Sequence, residues 1–352
     1  MRFESPAKYV DISMTNTDEK SVSAFWNSLA EAGKDGLIAN FRHHIDALHL
    51  NDWGVYEFAK SVASQLFPDN YNEQAVAVVF VVNQLGYKAK VGRVGKQLLC
   101  LLPVRNTIYG VSFLRQGNVN YYVYSPSDLP VPTGSLYTYA LDFPEAQAIF
   151  DMHIYEPLDF ESTTGEYTFT TKWRGKDIEV KINKGILEFY DSYPQVDVEV
   201  YADAAPSNEW AAQIRRTLAP MLEDRDDYGA TAALLNFMHK SFPYATDEDQ
   251  FGHEKYLFCE ESFYYKGSDC EDHAILFSYL VRTLVGRDVI LLDYPDHIAA
   301  AVNFSDPSVA GDYYMYNGKK YVVCDPTYFG ASIGESMPQY KNVGAKLIGL
   351  RK

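Results

Sequence analysis

Long apolar runs are missing from this chain of 352 residues. No stretch comes near the roughly 18 uninterrupted apolar residues that a membrane-crossing helix needs, so no membrane span is expected. Basic charge is also scarce. Only 31 Lys and Arg stand against 47 Asp and Glu, a net charge of −16 that repels phosphate backbones and anionic lipid surfaces. Nucleic acid is therefore not an expected partner, and solubility alone accounts for the charge. Cysteine is sparse too. Cys100, Cys259, Cys270 and Cys324 are too few and too scattered for a disulfide framework, so at least one free thiol is expected. The opening MRFESPAKYVDISMTNTDEK lacks the basic start and apolar middle of a secretory signal. Localisation stays open: periplasmic or secreted if an upstream segment is removed, cytoplasmic otherwise. Oligomeric state has no signature either.

A hydrophobic fraction of 47% can build substantial cores, and this length suits two or three domains. From Asn208, the residues Trp210, Ile214, Leu218 and Leu222 recur every fourth position, which predicts a helix started by Ser207 or Asn208. A second helix carries Ala230, Leu234, Phe237 and Met238 on one face and ends near Pro243. The clearest helix lies in GSDCEDHAILFSYLVRTLVG, 267 to 286, with Ala274, Phe277, Ser278, Val281 and Leu284 on its buried face. Gly286 is its C-terminal stop. Asp269 is its expected N-cap and Asp272 the capping-box partner, which puts Cys270 in the first turn.

Beyond this helix the period changes to two. DVILLDYP, HIAAAVNF, GDYYMYNG and KKYVVCDP read as short strands separated by turns, with YNGK the best hairpin among them. Upstream, YTFTTKW, RGKD, IEVKI and QVDVEVYA predict a β-rich linker domain over 133–205 with a hairpin at RGKD. The helix pattern of 274–284 recurs about 199 residues earlier as Ala75, Val78, Val79, Val82 and Leu85. This predicts a duplicated domain over 1–132, with IYGVSF and VNYYVYSP standing for HIAAAVNF and KKYVVCDP. In that alignment Tyr71 or its neighbour faces Cys270, Asn106 faces His297 and Ser125 faces Asp325, so the first copy has lost the chemistry of the second. A copy without chemistry is expected to serve as scaffold or substrate-binding partner.

Three residues carry chemistry. A thiol becomes a nucleophile as it loses its proton, and a helix N-terminus favours the thiolate. An imidazole can take that proton, and a carboxylate on the other ring nitrogen fixes the tautomer. Cys270 on a helix, His297 at the start of one strand and Asp325 at the end of another have the types and order for such a triad. GSDCEDHAILFSYLV, DYPDHIAAAV and YVVCDPTY together resemble the three motifs of the transglutaminase-like superfamily, and FPYATDEDQFGHEKYLF and ESFYYKGSDC resemble an uncharacterised bacterial branch of it. The resemblance covers 206–340. It implies an α+β, papain-like core of helices on an antiparallel sheet over 206–352, with nucleophile Cys270, base His297 and orienter Asp325.

The expected activity is cysteine-dependent hydrolysis of a peptide or protein amide through an acyl-enzyme, in the manner of a cysteine protease. Transfer to an amine, or a binding scaffold with a relic site, are the alternatives. The Cys270 amide is one expected oxyanion donor, and Gln250, Tyr264 and Tyr265 are candidates for the second. Cys324 reads as a buried strand residue. Cys270, Asp272 and His273 lack metal-ligand spacing, so no metal or cofactor is expected.

Overall fold

The computed structural model describes residues 12–33, 36–126, 129–160 and 164–351. Of the opening residues 1–20 weighed as a leader, 1–11 lie outside them. The fold is mixed α/β, with helices on antiparallel sheets, and it divides into two compact units, Met1–Met152 and His153–Lys352.

In the first unit, α1 (Glu19–Gly33), α2 (Leu37–Leu48), α3 (Asp52–Leu66) and α4 (Tyr71–Gln84) precede β1 (Lys90–Val94), β2 (Gln97–Pro103), β3 (Phe113–Gln116), β4 (Val119–Tyr124) and β5 (Leu136–Tyr137). Every residue of α4 from Gln74 to Asn83 is buried, which marks a helix enclosed on all sides. It packs against α3 and β2. The sheet runs in the order β3-β4-β2-β1-β5.

The second unit opens with the hairpin β6 (Glu166–Trp173) and β7 (Lys176–Asn183), followed by α5 (Lys184–Asp191), α6 (Val198–Ala202), α7 (Asn208–Leu218), α8 (Asp227–Ser241), α9 (Asp247–Gln250) and α10 (Cys270–Leu280). After α10 come a π-helical turn, Val281–Val285, and then β8 (Val289–Tyr294), β9 (His297–Val302), β10 (Tyr313–Tyr316), β11 (Lys319–Cys324) and β12 (Lys346–Gly349). The order is β10-β11-β9-β8-β12, strand for strand that of the first sheet. Ile290, Leu292, Tyr294, Ala299, Ala301, Tyr321 and Val323 form one apolar face of it, the alternation that pleating dictates.

The matching can be made residue by residue. Val94 pairs with Gln97 across the first hairpin as Tyr294 pairs with His297 across the second, and Cys100 pairs with Tyr124 as Ala300 pairs with Cys324. These pairs are offset by 200 positions. At the buried helix the offset is 199: Gln74 Nε2 donates to the Phe67 carbonyl at 2.8 Å, and His273 Nε2 meets the Phe242 carbonyl at 3.2 Å. The π-helical turn after α10 absorbs the extra residue, as such bulges do.

Three expectations are corrected. Gln97, not Asn106, stands where His297 stands, because β2 (QLLCLLP) is the counterpart of β9; IYGVSF falls mostly in the loop before β3. QVDVEVYA is not a strand. Its core forms the one-turn helix α6, burying Val198, Val200, Tyr201 and Ala202, and so short a run cannot distinguish period two from period 3.6. Finally, 133–205 is not a unit of its own. β5 pairs with β1, Ala148 and Phe150 bridge to Tyr87 and Val104 of the first unit, and β6 and β7 pack on α8 and α7 of the second. The RGKD turn is present, with Arg174 and Gly175 both at positive φ (50° and 77°), as a tight hairpin needs.

Candidate active site

Cys270 is the first residue of α10, behind the N-cap Asp269 and its capping box with Asp272. The loop that delivers it passes close to another segment: a Cβ on Gly267 would meet Ala245 Cβ at 2.5 Å, so only glycine fits there. Asp272 anchors the turn by accepting Leu257 N–H at 2.7 Å. All four cysteines are free thiols, and Cys270 alone among them is not fully buried. Cys324 lies inside β11 as expected, its sulfur directed at the Val322 carbonyl.

His297 opens β9 and is 7% exposed. Its Nε2 lies 2.8 Å from Asp325 Oδ2, which leaves Nδ1 as the nitrogen able to accept a proton. The ring is held from one side by Tyr340, stacked at 5.0 Å and 10°, which in turn stacks on Tyr294 at 4.8 Å. The Tyr340 hydroxyl donates to Asp296 Oδ1 at 2.9 Å. Asp325 follows β11. Its Oδ1 accepts from Thr327 N–H, Thr327 Oγ1 and Tyr328 N–H at 3.0, 2.9 and 3.2 Å, so one carboxylate oxygen locks the turn before Pro326 while the other faces the imidazole. The backbone of Ile298, the residue after His297, lies near enough to the Cys270 sulfur to favour its thiolate. The Cys270 thiol at the N-terminus of α10 and the His297–Asp325 pair at the start of β9 thus lie on two elements packed against one another.

The thiol is not in the electrostatic state that its position alone suggests. Burial first, and then the charge of Glu271, push its pKa far up, while the Ile298 amide pulls the other way. The thiol donates to Glu271 Oε2 at 3.0 Å. Helix-end stabilisation, worth about 1 kcal/mol, is outweighed by desolvation and an adjacent carboxylate.

Of the oxyanion candidates, Gln250 is already engaged: its Nε2 donates to the Gly267 carbonyl at 3.1 Å and its Oε1 accepts Gly267 N–H at 3.2 Å. It latches the loop before Cys270. Tyr264 packs edge-on against Tyr167 and Tyr265, and Tyr265 against Phe251, and no contact ties either to the thiol. Tyr244 is the tyrosine that sequence reasoning passed over. Its backbone bridges to Ser268 in the loop before Cys270, and burial first, then electrostatic coupling to Cys270, push its hydroxyl up to about 12, so that it stays a donor. Its sequence signal, FPYATD, was legible only as part of a motif. His273 is structural, with Nδ1 at 2.7 Å from the Asp269 carbonyl and Nε2 against that of Phe242. Compared with known proteins, the chain matches no family model, no curated protein and no solved structure.

Proposed function

We propose that the second unit is a cysteine-dependent amide hydrolase of the transglutaminase-like, papain-type class, with Cys270 as nucleophile, His297 as base and Asp325 as orienter. One observation carries the reading: His297, hydrogen-bonded to Asp325 at 2.8 Å, is followed in β9 by Ile298, whose backbone lies near the Cys270 sulfur. Because the resting thiol is protonated, its proton leaves as the bond forms. Sulfur attacks the amide carbonyl carbon while the S–H proton passes to His297 Nδ1. His297 returns that proton to the departing amine as the C–N bond breaks, which leaves a thioester. Water, losing a proton to the same nitrogen, attacks the thioester to release the carboxylic acid and the thiol. Asp325 holds the ring for both transfers, and the Cys270 amide with the Tyr244 hydroxyl faces the developing oxyanion.

The experiment is turnover of a panel of peptide and side-chain amides by wild type and Cys270→Ala. Activity in the wild type with a loss of about 10⁴-fold or more in the variant, at unchanged melting temperature, supports the reading; equal rates overturn it. Adding a primary amine distinguishes hydrolysis from transfer by whether the product is the acid or the new amide. A binding module with a relic site is favoured by the thiol's bond to Glu271, and turnover absent from the whole panel would select it.

A further inference from the structure

We propose that the free edge of β6 in the second unit docks an extended, acidic peptide segment, which joins the hairpin as a third strand. β6 pairs with β7 from Glu166 to Trp173, and the hairpin is a sheet of two strands, so the other edge of β6 has no strand beside it. A cavity of about 180 Å³ lies there, lined by Tyr167, Thr168, Phe169 and Thr170. Successive side chains of a strand point to opposite faces, so a cavity touching four residues in a row runs along the strand's edge and meets its backbone. Among the described residues, the backbone of these four makes no hydrogen bond outside the pairing with β7. Such an edge presents N–H and C=O groups that another extended segment can satisfy.

The opposite wall is an independent sign of a ligand. It is formed by Ser241, Phe242 and Pro243 at the end of α8, and by Ser262 and the loop from Tyr265 to Ser268. Ser241 and Ser262 are 8% and 4% exposed, and the hydroxyl of each is buried with no hydrogen-bond partner. A buried hydroxyl left unmatched costs about 1–3 kcal/mol, and a polar side chain entering the cavity supplies the missing partner. Packed rings hold the walls in place: Phe169 stacks on Phe242 at 5.7 Å and 5° and meets Phe263 edge-on at 4.8 Å. The groove is thus preformed, which limits the entropy lost on binding. Charge then selects among peptides. Lys266, exposed, is the only charged residue among the described ones that line the cavity. A carboxylate can accept from serine hydroxyls beside that ammonium, whereas a lysine side chain would meet like charge. Docking requires no turnover, so it stands or falls apart from the proposed hydrolysis.

The test is binding of a fluorescein-labelled peptide, alternating valine and threonine with one central glutamate, to the full chain, followed by fluorescence anisotropy and hydrogen exchange. Saturable binding with a Kd below about 1 mM is expected, with slowed exchange at the amides of Tyr167 to Thr170. Methylating one alternate set of the peptide's backbone nitrogens, the set facing β6, should abolish binding, because it removes the donors of the added strand. Lys266→Glu, at an exposed position, should weaken binding about tenfold, and a peptide with lysine in place of its glutamate should recover it on that variant. A wild type with no saturable binding overturns the proposal. So does binding indifferent to methylation of either set, a charge exchange without recovery, or protection that falls elsewhere than on β6.

Discussion

The two units use one strand order for two different ends, and their helix-to-sheet corners show why. In the second unit the Ile298 backbone lies near the Cys270 sulfur. In the first, the corresponding amide, that of Leu98, donates to Asn72 Oδ1 at 2.8 Å, and Asn72 also donates to the Lys96 carbonyl at 3.2 Å. Asn72 occupies the place of Glu271. Tyr71, Gln97 and Ser125 occupy those of Cys270, His297 and Asp325, so the first unit closes with neutral hydrogen bonds the corner at which the second gathers charge. The connections differ as well. α3 reaches α4 through Phe67–Asn70, whereas α8 reaches α10 through Phe242–Asp269, and that longer excursion supplies Asp247, Gln250, Tyr244, Lys255 and Glu261. A shared strand order is kept, and a loop supplies the residues that differ.

The comparison breaks if the second unit tolerates the residue types of the first. Asp325→Asn should cut turnover about 10²- to 10⁴-fold, because an amide can present its N–H to Nε2 and select the wrong tautomer. Stability should hardly change, since Asn keeps an oxygen for the Thr327 and Tyr328 amides. Steady-state kinetics with a melting curve checks this, and activity within a factor of three of wild type would mean that Asp325 is only a turn residue. The next effect concerns the loop. Gly267→Ala forces a methyl into Ala245 and should cost about 1–3 kcal/mol, with a lower turnover as the N-terminus of α10 shifts. Denaturant unfolding measures it. Ser125→Ala, at the matching place in the first unit, should leave turnover within a factor of two of wild type.

Much of this was legible locally. A capped helix in SDCEDH, an imidazole at a strand start and an aspartate before proline each carry their signal within a few residues, and all three occupy the expected elements. What was not legible depends on distance or on packing. Tyr340 stacks on His297 from more than forty positions away, and no spacing rule announces it. Glu271 adjoins Cys270 in sequence, yet only the fold decides that it accepts the thiol proton. β2 was missed as the partner of β9 because QLLCLLP is apolar at nearly every position, so it lacks the alternation by which β9's neighbours were read. α6 failed for the opposite reason, since its alternating valines imitate a strand.

The last effect, on the pH dependence of stability alone, sharpens the comparison through the excursion itself. Glu261 is 1% exposed, with Oε2 accepting Phe258 N–H at 3.0 Å and Oε1 3.3 Å from Lys255 Nζ. Burial wins over that lysine and pushes its pKa up from 4.5 to about 7. A carboxyl raised in the folded state contributes stability that is complete below the unfolded value and is lost as pH rises through the folded one. The second unit should therefore lose stability between about pH 4.5 and pH 7 through this one group, by an amount on the order of a few kcal/mol. Glu261→Gln keeps an acceptor for Phe258 and removes the charge, so the variant should gain on the wild type as pH rises. Urea unfolding at pH 5 and pH 8 measures the difference. If the variant's relative stability is the same at both, Lys255 neutralises the buried carboxylate fully and the excursion is held by an ion pair rather than by a protonated acid.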